Sequence, residues 1–112
     1  MSFLNRDPQQ PAFVHSTHPE ATGLFVLKKM TIMDRVDFNR LRALFVGDMR
    51  VSQYPKEVAL AEAAAYLKVG VKDAPKDVVV DELTDEDFSI ALAEEVKRYN
   101  ASFSRPPSPK TN

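Results

Sequence analysis

The chain has 112 residues, with 15 Lys+Arg against 16 Asp+Glu for a formal charge of −1, 44% hydrophobic residues and no Cys. These figures describe one globular domain and exclude a disulfide or thiolate-metal scaffold. No apolar run approaches the roughly 18 to 20 residues of a membrane span, and Met1 to Asn5 lack the basic cluster and apolar stretch of a signal peptide, so a cytoplasmic location is expected.

Residues 1–56 hold 8 basic and 5 acidic side chains and residues 57–112 hold 7 and 11, so the halves carry +3 and −4. The basic residues are scattered. Generic nucleic-acid binding, which needs a concentrated basic surface that neutralises several phosphates, is therefore not expected.

Residues 1–22 contain Pro8, Pro11 and Pro19 with few periodic apolar positions, and read as an extended N-terminal arm. Gly23 then opens Leu24-Phe25-Val26-Leu27, a run short enough for one strand. Thr31 offers an N-cap hydroxyl with Asp34 three residues on, which predicts a helix from about Ile32 to Val46 that stops at Gly47. On a wheel at 100° per residue, Phe38, Leu41, Leu44 and Phe45 form one apolar face, with Ile32, Met33 and Val36 to its side. That arc is wider than one packing surface needs.

Pro55 suits the first turn of a second helix running to about Val71. Leu60, Ala64, Leu67 and Val71 make one stripe and Val58, Ala65 and Val69 nearly the opposite one, which predicts a central, buried helix. Ala74-Pro75 ends the segment, and Val78 to Val80 suggest a short strand. Thr84 as N-cap with Asp87 at N3 then predicts a third helix, whose Phe88, Leu92, Val96, Tyr99 and Phe103 form one docking face and whose Glu94 and Arg98 are spaced to pair. Residues 104–112, with three prolines, read as a flexible tail. The expected fold is thus mainly α: a helical domain over residues 23–103, with three principal helices and one or two short strands, between an N-terminal arm and a Pro-rich tail.

Chemistry is sparse. His15 and His18 with Glu20 are ligand-compatible in type, but no Cys or third imidazole closes a tetrahedral site, and solvated arm histidines are expected. Asp81, Glu82, Asp85, Glu86 and Asp87 lack the central Gly and the twelfth-position Glu of a calcium loop, and a helix-dipole role accounts for most of them. With 3 Gly there is no phosphate-cradling loop, and neither histidine lies outside the arm to activate a nucleophile. No catalytic residue, metal or cofactor is expected. A small helical core cannot easily bury every side of each helix, so Phe38, Phe45 and Ile90 are the candidate partner-binding residues, and self-association or a stable complex is expected.

Three stretches carry a family resemblance. Phe25 to Thr31 with Asp34, Val36 and Arg40, then the Ala-rich segment from Ala59 to Val71 closed by Ala74-Pro75, then Leu83 to Asp87 followed by Leu92, Val96, Tyr99 and Phe103, resemble in order the small tail assembly chaperones of long-tailed bacteriophages. The resemblance spans about 80 residues of short, degenerate motifs, and the chain departs from the pattern in having no Trp. It implies a non-enzymatic, mostly helical protein of the host cytoplasm that binds the tape-measure protein and helps recruit tail-tube subunits, often made also in a longer frameshifted form. Two other readings remain: a structural component of a phage particle, such as a connector or minor tail protein, and a cellular helical adaptor.

Overall fold

The computed structural model describes residues 12–103; the expected Pro-rich tail and the first half of the expected arm lie outside the described residues. The elements run β1 (Ala12–Ser16), β2 (Gly23–Leu27), α1 (Ile32–Val46), α2 (Pro55–Gly70), β3 (Val71–Asp73), a single 3-10 turn (Val80–Glu82) and α3 (Glu86–Ala101). The three expected helices are present, but the strand expectation needs correction: β1, β2 and β3 form one antiparallel sheet with β2 central, so the domain is mixed α/β.

β1 lies inside the segment read as an arm, yet it belongs to the core. Ala12, Val14 and Ser16 point inward and are buried while His15 is exposed, the period-2 alternation of a strand with one covered face. Val14 stands opposite Phe25 and Ala12 opposite Leu27. Pro19 sits in the hairpin connection, where Ala21 N–H bonds His18 C=O at 3.0 Å, so it costs the ladder nothing. The third strand is Val71–Asp73 rather than the expected Val78 to Val80. Val71 and Asp73 pair with β2 immediately after the helix, whereas Asp77 at φ 67° and the Val78 N–H bond to Pro75 C=O turn the later segment away from an extended path.

Local chemistry sets the helix ends. Thr31 Oγ1 accepts the Asp34 N–H at 3.1 Å and Asp34 Oδ2 accepts the Thr31 N–H at 2.9 Å, a complete capping box. Gly47, at φ 59°, ends α1 in a conformation that a side chain resists, with its N–H on Ala43 C=O. Pro55 opens α2 without wasting a donor. At α3 the cap differs from expectation: Asp85, not Thr84, accepts the Phe88 N–H at 2.8 Å. Thr84 is engaged by Glu20 from the hairpin, whose Oε2 takes the Thr84 hydroxyl at 2.6 Å and its N–H at 2.7 Å. A tertiary contact has displaced the local cap by one residue.

The core joins the inner sheet face to α2 and α3. Val14, Phe25 and Leu27 meet Leu67, Phe88, Leu92, Val96 and Tyr99 in one buried cluster, so the expected docking face of α3 is the packed one, with Phe103 half-buried at its end. Arg98 pairs with buried Glu95 at 3.1 Å rather than with Glu94. The helix α2 lies between α1 and α3, as a segment apolar all round should, and Gly70 at its end lets it approach Val96 closely. The outlier is α1, which packs on α2 but contributes no buried residue.

Candidate partner-binding surface

A helix of fifteen residues with no buried side chain must leave apolar atoms in water if its sequence is apolar on more than one side. Ile32, Met33, Val36, Leu44 and Phe45 are all exposed, from 37% at Phe45 to 81% at Ile32. The arc is wide, and the apolar face expected to hold Phe38, Leu41, Leu44 and Phe45 together is split: Leu44 is 72% exposed and belongs to the outer side.

The inner side of α1 meets α2 in two ways. Phe38 and Tyr66 bring their rings to 4.2 Å between centroids at an angle of 34°, and burial pushes the Tyr66 phenol above its ordinary range. Arg42 Nε bonds Glu62 Oε2 at 2.7 Å, tying the helices at a partly exposed position where the pair adds orientation more than stability. Beyond that tie the helices part. Phe45 at the end of α1, Met49 in the turn after it, and Leu60 and Ala64 of α2 line an open apolar depression. A second, more polar hollow shares Phe45, Leu60 and Ala64 with it and extends past Leu67 and Lys68 to Val80, Asp81 and Leu83. The stripe Leu60, Ala64, Leu67, expected in the core, forms the groove floor: Leu67 is buried, Leu60 half-buried and Ala64 exposed. Lys68 closes one side on Asp81 at 3.2 Å, fixing the 3-10 turn against α2.

The three candidate residues are therefore not one surface. Phe45 is on the groove. Phe38 is half-buried under Tyr66, and Ile90, expected to be exposed, is half-buried against the core because α3 is covered on a wider arc than its aromatic stripe. The groove needed Met49, Leu60 and Ala64 as well, and the sequence offered a signal for two of them in the stripe of α2 that runs from Leu60 through Ala64 to Leu67.

The charged clusters have structural partners. His18 stacks on Phe88 with centroids 4.5 Å apart, its Nδ1 accepts the Glu20 N–H, and its Nε2 faces Asp85 Oδ2 at 3.1 Å. It is thus docked on the third helix and not a solvated arm histidine, a correction that follows from β1 being a strand. Hydrogen bonds from the Thr84 hydroxyl and then the Thr84 and Asp85 N–H groups hold the Glu20 carboxyl below its ordinary range, and the Phe88 N–H followed by His18 does the same for Asp85. Lys56 lies 3.4 Å from both Glu86 and Asp87, which raise its pKa, Asp87 foremost. Among the described residues no three His, Cys, Asp or Glu side chains converge as a metal site, and no helix is long and apolar enough to cross a membrane. Comparison of the chain with known protein families, with curated proteins and with solved structures finds no match.

Proposed function

We propose that this protein is a non-enzymatic assembly chaperone of a phage tail, which holds a helix of the tape-measure protein in the groove between α1 and α2 and helps recruit tail-tube subunits. The observation that carries the binding role is the open apolar groove around Phe45, Leu60 and Ala64, beside a helix with no residue of its own in the core. An amphipathic helix lays an apolar face into such a groove through anchors one turn apart. A tape-measure protein, long and helical, would present such stripes before the tube covers it. The tail-assembly context rests on the resemblance carried by the Phe25 to Thr31, Ala59 to Pro75 and Leu83 to Phe103 stretches.

Coexpression with the tape-measure protein tests this. The two should co-purify and the tape-measure protein should stay soluble. Ala64→Glu and Phe45→Lys, both at exposed positions, should reduce recovery while leaving the far-UV circular dichroism spectrum unchanged. A tape-measure protein equally soluble alone and never co-purifying overturns the reading. Mass spectrometry that finds the chain at fixed stoichiometry in finished particles replaces it with a structural component of the virion.

A further inference from the structure

The outer side of α1 carries a pattern that the groove does not use. Met33, Asp37, Arg40 and Leu44 are spaced 4-3-4 and fall within about 60° of arc on an ideal helix, the spacing of a coiled-coil seam. Met33 is 64% and Leu44 72% exposed, and the side chains of Asp37 and Arg40 are 39% and 75% exposed. Ile32 and Val36 border the stripe on one side, both exposed. The order is apolar, acid, base, apolar, and the spacing reads the same from either end.

That symmetry selects a partner. When a second copy of this helix is laid antiparallel, with a two-fold axis between Phe38 and Asn39, Met33 of each copy faces Leu44 of the other and Asp37 faces Arg40. A parallel copy in the same register would set Asp37 against Asp37 and Arg40 against Arg40, like charges at close range. A two-fold interface requires that if residue i meets j, then j meets i, and this stripe satisfies the condition with matched chemistry at every position. The two charges already pair within one helix, Arg40 Nη2 to Asp37 Oδ1 at 2.8 Å, so dimerisation extends a neutralised pair into a four-membered ring rather than burying a lone charge.

We propose that this chain forms an antiparallel two-fold dimer through the Met33, Asp37, Arg40, Leu44 stripe of α1. Polar residues at the centre of the seam fix its register, while the apolar ends supply the association energy. The contact is short, which places it among small interfaces of weak, reversible association. Phe45 lies about 100° around the helix from Leu44, so the dimer leaves the groove open and stands independently of what the groove holds.

Sedimentation equilibrium of the full chain across the micromolar range tests the proposal. A reversible monomer–dimer equilibrium is expected, with Leu44→Lys weakening it about tenfold or more at unchanged circular dichroism. Asp37→Lys and Arg40→Glu should each weaken self-association, because every copy then faces a like charge. An equimolar mixture of the two variants should form a heterodimer, since Lys at 37 in one chain meets Glu at 40 in the other and the native pair survives at the second site. A wild-type chain that stays monomeric throughout, or a Leu44→Lys variant that dimerises as tightly as wild type, overturns the proposal. Failure of the mixed variants to associate overturns the antiparallel register.

Discussion

Asn100, in the last turn of α3, accepts the Met30 backbone N–H on its Oδ1 at 2.7 Å, while its Nδ2 donates to Lys28 C=O at 3.1 Å. One buried side chain thus satisfies a donor and an acceptor on the segment that leaves the sheet for α1, seventy residues away in the chain. Lys28 N–H meanwhile bonds Gly70 C=O at 2.8 Å, so the same segment is held by the ends of two helices.

Replacing Asn100 with Ala should therefore cost about 1 to 3 kcal/mol, because the Met30 N–H and the Lys28 C=O lose their partner without gaining water. Urea denaturation checks this. A variant within experimental error of wild type would show that these groups find other partners.

Gly70→Ala should destabilise by about 1 to 3 kcal/mol through overpacking, because an added Cβ falls inside the Val96 side chain. The diagnostic is the cycle with Val96→Ala, which vacates that space: the double variant should be less destabilised than the sum of the two single ones. Additive effects would place the cost elsewhere than this contact.

The role of β1 gives a third prediction. Deleting residues 1–16 removes Ala12 and Val14 from the core and uncovers the inner face at Phe25 and Leu27. Cooperative thermal unfolding, followed by circular dichroism, should be lost. A dispensable arm would leave the transition unchanged.

Part of the acid sensitivity should trace to Glu20. Its folded pKa lies below the ordinary 4.5 because Thr84 and Asp85 donate to the ionised carboxylate. A depressed carboxylate contributes stability that is complete above the unfolded pKa and is lost as pH falls through the folded one. The wild-type chain should therefore lose stability on acidification below about pH 4.5, and Glu20→Gln, already lacking the charge, should show a shallower loss over that window. Parallel profiles for the two proteins would remove Glu20 from the account.

Leu67→Ala and Phe88→Ala, at buried positions on α2 and α3, should each cost about 2 to 5 kcal/mol in the same denaturation experiment. Loss of less than about 1 kcal/mol in both would contradict the packing of these two helices.

Features that depend on neighbours along the chain are legible from the residues alone. The Thr31/Asp34 box, Gly47 and Pro55 place the ends of α1 and the start of α2 where the structure has them, because a cap is a hydrogen bond between residues three apart, or a backbone angle set by one residue. The stripe from Phe88 to Tyr99 likewise names a packed face, since the aromatic residues of α3 fall on one side of it, although the covered arc is wider and takes in Ile90. Tertiary structure decided the rest. A strand of five residues has no internal hydrogen bonds, so Ala12 to Ser16 becomes β1 only where β2 supplies the partners, and between Pro11 and Pro19 it reads as an arm until then. The α3 cap moved to Asp85 because Glu20, distant in the chain, took Thr84. On α1 the wheel could measure an apolar arc but not orient it. Leu44 and Phe45 are adjacent in sequence and similar in hydrophobicity, and only the position of α2 sends Phe45 to the groove and Leu44 to the outer face.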